Sequence, residues 1–94
     1  MLIWGIVTFK IETMSGEDGT IIKLIGRLRA EYLWELKSKI EMSGRLIALE
    51  INEVTLVDVE SVRFLGSCET QGVELRHCPA YIREWIAREG ERRV

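Results

Sequence analysis

The run Leu49–Leu65, LEINEVTLVDVESVRFL, decides the fold of this chain. With Leu46, Ile47 and Ala48 before it, it opens as a nearly continuous apolar segment of strand length. That pattern belongs to a strand covered on both faces, as in a parallel or mixed sheet. The run then turns at Asp58 into amphipathic sequence with helical spacing. An aspartate at a helix start can accept a hydrogen bond from an orphan first-turn N–H, contributing on the order of 1 kcal/mol. The charges of Asp58 and Glu60 both suit the positive end of the helix macrodipole, and the same geometry suits a phosphate. The carboxyl end of an interior strand is the usual place for a site in an open α/β sheet. The turn at Asp58 is therefore the candidate site.

Working outward towards the N-terminus, Arg45–Ile51 is the third strand, preceded by a helix over Ala30–Ser43 that Gly44 closes. Leu33, Leu36 and Ile40 form that helix's core face, and Trp34 is rotated off it, partly exposed, with a flanking packing role or a role in partner contact. Before it, Ile6–Met14 and Thr20–Ile25 read as two strands joined by the turn Ser15–Gly19, with Gly26-Arg27-Leu28 ending the second. Towards the C-terminus, a second helix over Val59–Thr70 turns Val59, Val62, Leu65 and Gly66 inward, with Gly66 close to the sheet and Phe64 pointing away. A fourth strand over Val73–Cys78 follows, then a helix over Ala80–Glu89 that buries Ile82, Trp85 and Ile86. The order is β-β-α-β-α-β-α, an α/β domain with a mixed sheet of about four strands and three helices covering one or both faces.

With 94 residues, one domain spanning 1–94 is expected, with residues 1–5 as an added strand or sticky edge and 90–94 as a frayed tail. Trp4 in that N-terminal edge is positioned to pair with another copy of the chain, giving a possible homodimer. An apolar fraction of 47% and a charged fraction of 30% describe an ordinary soluble globular protein. Charges are interleaved and the net charge is −2, so no basic face for nucleic acid is expected. The apolar start MLIWGIVTF is too short to cross a bilayer and lacks the charged start of a signal peptide. Cys68 and Cys78 read as reduced thiols of a cytoplasmic protein, and with His77 they lack the number and spacing of a structural zinc site. No metal or cofactor is expected. One histidine and no paired acid and base make catalysis unexpected as well.

The sequence leucine-acid-aliphatic-polar over Leu49–Asn52, running on to Val54, Leu56, Val57 and Asp58, resembles the central motif of the STAS domain, the fold of bacterial anti-sigma-factor antagonists. Gly26-Arg27-Leu28 resembles the glycine-x-leucine before the family's first helix, although its usual aspartate is Arg29 here. Gly72, Leu75 and Cys78–Trp85 resemble its last strand and helix, so the likeness covers Val7 to Trp85. In the antagonists the motif continues aspartate, serine, serine, glycine, leucine, and a partner kinase that doubles as the anti-sigma factor phosphorylates the second serine. This chain has Asp58, Val59, Glu60, Ser61 and Val62, so Glu60 takes the phospho-acceptor position.

Three readings of that position stay open. Glu60 is a helix-start carboxylate favoured by the dipole, or a fixed mimic of the phosphorylated state, or Ser61 takes the phosphate instead. The resemblance implies a non-enzymatic regulatory module that docks a serine kinase or anti-sigma factor through Asp58, Glu60, Ser61 and Phe64. The alternative is a structural subunit of a transporter ATPase or a signalling scaffold, and a small ligand in the apolar interior is a third reading.

Overall fold

The computed structural model describes residues 9–92. The expected added strand at residues 1–5, the strand start at 6–8 and the last two residues of the tail lie outside the described residues. Its elements are β1 (Phe9–Gly16), β2 (Gly19–Leu28), α1 (Ala30–Met42), β3 (Leu46–Val57), α2 (Val59–Thr70), β4 (Glu74–Arg76) and α3 (Ala80–Arg92). The protein is an α/β domain with a four-stranded mixed sheet in the order β1-β2-β3-β4. β1 and β2 form an antiparallel hairpin, while β2, β3 and β4 run parallel.

That strand order never reverses. Crossovers between parallel strands are right-handed, so two successive ones stepping in the same direction place their helices on the same face. Accordingly, Leu33 and Leu36 of α1, Val62, Leu65 and Cys68 of α2, and Ile82 of α3 share one core with Ile22, Leu24, Leu28, Leu49, Ile51, Val54, Val57 and Leu75 of the sheet. The opposite face carries charge. Lys10 pairs there with Glu12 at 3.3 Å and Lys23 with Glu53 at 2.7 Å. Among the described residues no helix is long and apolar enough to cross a membrane.

The hairpin joins the parallel part of the sheet at a place that only glycine fits. Gly19 has φ +141°, and a Cβ there would lie 2.8 Å from the Arg45 carbonyl oxygen and 2.9 Å from Ile47 Cγ2. Next to it the Thr20 N–H donates to that same carbonyl at 2.7 Å, so the backbone cannot retreat without losing the bond. Gly19→Ala is expected to cost about 2 kcal/mol, from steric overlap and an unfavourable φ together. A urea unfolding midpoint equal to the wild type would refute this.

Several boundaries differ from the sequence expectation. β3 runs on to Val57, six residues beyond Ile51, and β2 continues through Gly26 to Leu28. The reason is a set of three register shifts in the β2–β3 ladder, each adding one residue to β3. Bulges of this kind break the two-residue alternation that marks a strand in sequence. β4 is shorter than expected because His77 adopts φ 55°, a left-handed conformation that ends the strand. α3 extends to Arg92 rather than fraying at Gly90, its last turn tied down by Glu89, which is buried and accepts from Arg63 Nε of α2 at 2.9 Å. Gly66 makes its close approach to α3, where an added Cβ would sit 3.4 Å from Ile86 Cγ2, and not to the sheet. Val59 is only half-buried.

Candidate functional site

The carboxyl ends of β2 and β3 lie side by side, so α1 and α2 begin next to each other. An open sheet forms its binding crevice where the strand order reverses and neighbouring helices diverge to opposite faces. This sheet has no reversal. The space between the two helix starts is filled instead by a side chain, that of Asp58.

Asp58 is the N-cap of α2, with φ −109° and ψ 175°. Its Oδ1 accepts from the Ser61 N–H at 2.9 Å, the third amide of the helix's first turn. Its Oδ2 accepts from the Ala30 N–H at 2.8 Å, the first amide of α1. The N-cap of α1 is Arg29, whose side chain makes no capping bond. A guanidinium has no acceptor, so the Arg29 side chain cannot cap α1. One carboxylate thereby closes the starts of two helices. Partial burial works against the charge on Asp58, but the Ala30 amide and the hydroxyl and amide of Ser61 outweigh it and hold the pKa below the ordinary 3.8.

Around this bridge lies a shallow depression of about 390 Å³ lined by Arg29, Ala30, Glu31, Leu56, Val57 and Asp58. Leu56 is 45% exposed at its lip, an apolar side chain facing solvent at the end of β3. Glu60 is exposed in the first turn of α2.

The other two expected contact residues are placed differently. Ser61 is fully buried, at 0% exposure. Its hydroxyl lies near enough to Asp58 to help lower that pKa, yet Oγ meets no partner at hydrogen-bonding distance and angle. No kinase reaches a hydroxyl enclosed in this way, so the expectation of phosphorylation or partner contact at Ser61 is corrected. Phe64 is half-buried and packs against the core, with Lys37 Nζ of α1 at 5.6 Å from its ring centroid. It seals the seam between α1 and α2, not the rim at Asp58, because its position on α2 faces the neighbouring helix.

The thiols are quiet. Burial pushes Cys68 up to about 11 against a smaller lowering influence from Lys37, and burial also raises Cys78. Protonated thiols of this kind are poor nucleophiles. His77 Nδ1 is hydrogen-bonded to the Glu50 carboxylate across the β3–β4 end of the sheet. Among the described residues no group of three or more His, Cys, Asp or Glu side chains is placed to hold a metal ion.

No protein-family model matches the chain, and no curated protein matches it.

Two features of the site escape a reading of the sequence alone. The exposure of Leu56 is one, since an apolar residue in an apolar run reads as core. The contact between Asp58 and Ala30 is the other, but it had a signal: a helix whose N-cap is an arginine has no side-chain acceptor at its own cap and leaves its first amide for another acceptor to meet, here a distant carboxylate.

Proposed function

We propose that this domain is a non-enzymatic, cytoplasmic protein-interaction module of the anti-sigma-factor-antagonist type. It docks a serine kinase, anti-sigma factor or related regulator through the start of α2. Glu60 stands where the resembling family carries its phosphorylated serine. The motif from Leu49 to Asp58 supports the family reading, and two free thiols support a reducing compartment. The observation that carries the docking reading is an exposed acid, Glu60, and an exposed leucine, Leu56, each two residues from Asp58, whose carboxylate fixes both helix starts. An apolar anchor beside a charge is the usual make-up of a contact patch.

Glu60 supplies one negative charge where a phosphate carries nearly two, so it imitates the modified state in sign and only partly in strength. The only hydroxyl in the first turn of α2 is that of Ser61, which is enclosed, so the rim's charge is permanent. The same permanence favours the alternative reading, a constitutive subunit of a transporter ATPase or signalling scaffold. Co-purification with membrane ATPase components rather than a kinase would select that alternative.

The test uses the kinase or anti-sigma factor encoded with this chain and calorimetric binding. Glu60→Lys and Leu56→Arg are each expected to weaken binding at least about tenfold, a loss of roughly 1.4 kcal/mol. Glu17→Lys, in the hairpin turn at the far end of the sheet, is expected to bind as the wild type does. With kinase and ATP, Glu60→Ser gains label and the wild type stays unlabelled. Rim variants that bind normally would overturn the proposal.

A further inference from the structure

The two edges of the sheet are unlike. β4 has only three residues, an edge too short to template a long strand pairing. β1 has eight, contains no proline, and pairs with β2 in unbroken register from Phe9–Gly26 to Gly16–Gly19. Among the described residues nothing pairs with its outer side. An edge strand of this length without a bulge is a template for another strand. Sheets commonly guard such edges with charged side chains, proline or bulges, so what the charges of β1 do depends on what they would face.

β1 carries charges of opposite sign, Lys10 and Glu12, two residues apart on the open face of the sheet and about half exposed at 58% and 45%. We infer that β1 is a self-complementary edge through which two copies of this chain join their sheets into one, antiparallel about a two-fold axis at Ile11. In such a pairing, residues equidistant from the axis stand opposite each other on the same face. With the axis at Ile11, Lys10 of each copy faces the other's Glu12, Ile11 faces Ile11 on the helix-covered side, and Phe9 faces Thr13. The registers one step to either side are excluded by charge. An axis at Lys10 sets lysine against lysine, and an axis at Glu12 sets glutamate against glutamate, and like charges directly opposite destabilise a sheet. Of the registers centred within β1, the one at Ile11 sets opposite charges against each other, and the partner that supplies them is a second copy. Ile11 and Phe9 are already half-buried against the core, so the joined edge extends the apolar layer beneath the helices.

The test is sedimentation of the full chain over a concentration series at low ionic strength. The wild type is expected to dimerise. Lys10→Glu alone and Glu12→Lys alone each place like charges opposite at two symmetric positions, and each is expected to weaken the dimer by about tenfold or more. The two single variants mixed in equal amounts restore complementary pairs and form a heterodimer. The double exchange K10E/E12K dimerises as the wild type does. Both positions are exposed, and far-UV circular dichroism with a thermal midpoint checks that every variant folds. A monomeric wild type, single reversals that leave the dimer intact, or a mixture that fails to associate would each overturn the inference.

Discussion

Asp58→Ala is expected to lower stability by about 2 kcal/mol, because it removes the acceptor of two helix starts at roughly 1 kcal/mol each. In a domain of this size that displaces the thermal midpoint by roughly 8–16 °C. Asp58→Ser keeps a short acceptor for the Ser61 amide and loses the reach to Ala30, so it is expected to cost about half as much. The pH dependence has a fixed sign. The folded carboxyl titrates below the ordinary 3.8, held there by the Ala30 and Ser61 groups against the effect of burial. Its ionic contribution is fully present above the unfolded value and is lost as pH falls through the folded one. The stability gap between wild type and Asp58→Ala therefore holds from pH 7 to about pH 5 and narrows below pH 4. Urea titrations of both proteins across this range measure the gap directly, and a gap that widens in acid would refute the assignment.

Ser61→Glu is expected to be more damaging still, and Ser61→Ala nearly silent. The side chain is enclosed beside the Asp58 carboxylate, where a second carboxylate would be buried, unpaired and next to a like charge. A buried charge without a partner costs about 3–5 kcal/mol, a large part of the 5–15 kcal/mol that holds a domain together. Removing the hydroxyl has the opposite character. It makes no hydrogen bond, so alanine loses only its proximity to Asp58 and sheds the cost of an unsatisfied polar group. Denaturant midpoints within about 0.5 kcal/mol of wild type for Ser61→Ala, and largely unfolded protein for Ser61→Glu, are the expected pair. A well-folded Ser61→Glu would restore Ser61 as a candidate for phosphorylation.

The element order was legible because each segment's hydrophobic period agrees with its neighbours. The stripe of Leu33 and Leu36 on α1, the apolar run at Ala48–Ile51 and the cap at Asp58 all appear in the structure where the sequence puts them. The length of β3 was not legible, since two of its three added residues fall between Glu50 and Leu56 and spoil the alternation there. Ser61 was misplaced for a different reason. It falls four and seven residues before Leu65 and Cys68, the spacing of a shared helix face, but a hydroxyl beside two acids reads as surface. The bridge to Ala30 joins positions 28 apart, and the sequence carries only half of it, an arginine where a helix wants an acceptor.

The turn that carries Leu56 and Glu60 is rigid only if Asp58 holds α1 and α2 together. Amide proton shifts of Ala30 and Ser61, followed by NMR from pH 7 downward, test that bridge most directly. Both amides donate to one carboxylate, so both are expected to move together with a single apparent pKa below 3.8. An Ala30 amide that stays still while Ser61 titrates would mean that α1 starts without Asp58, and the bridge would be contradicted.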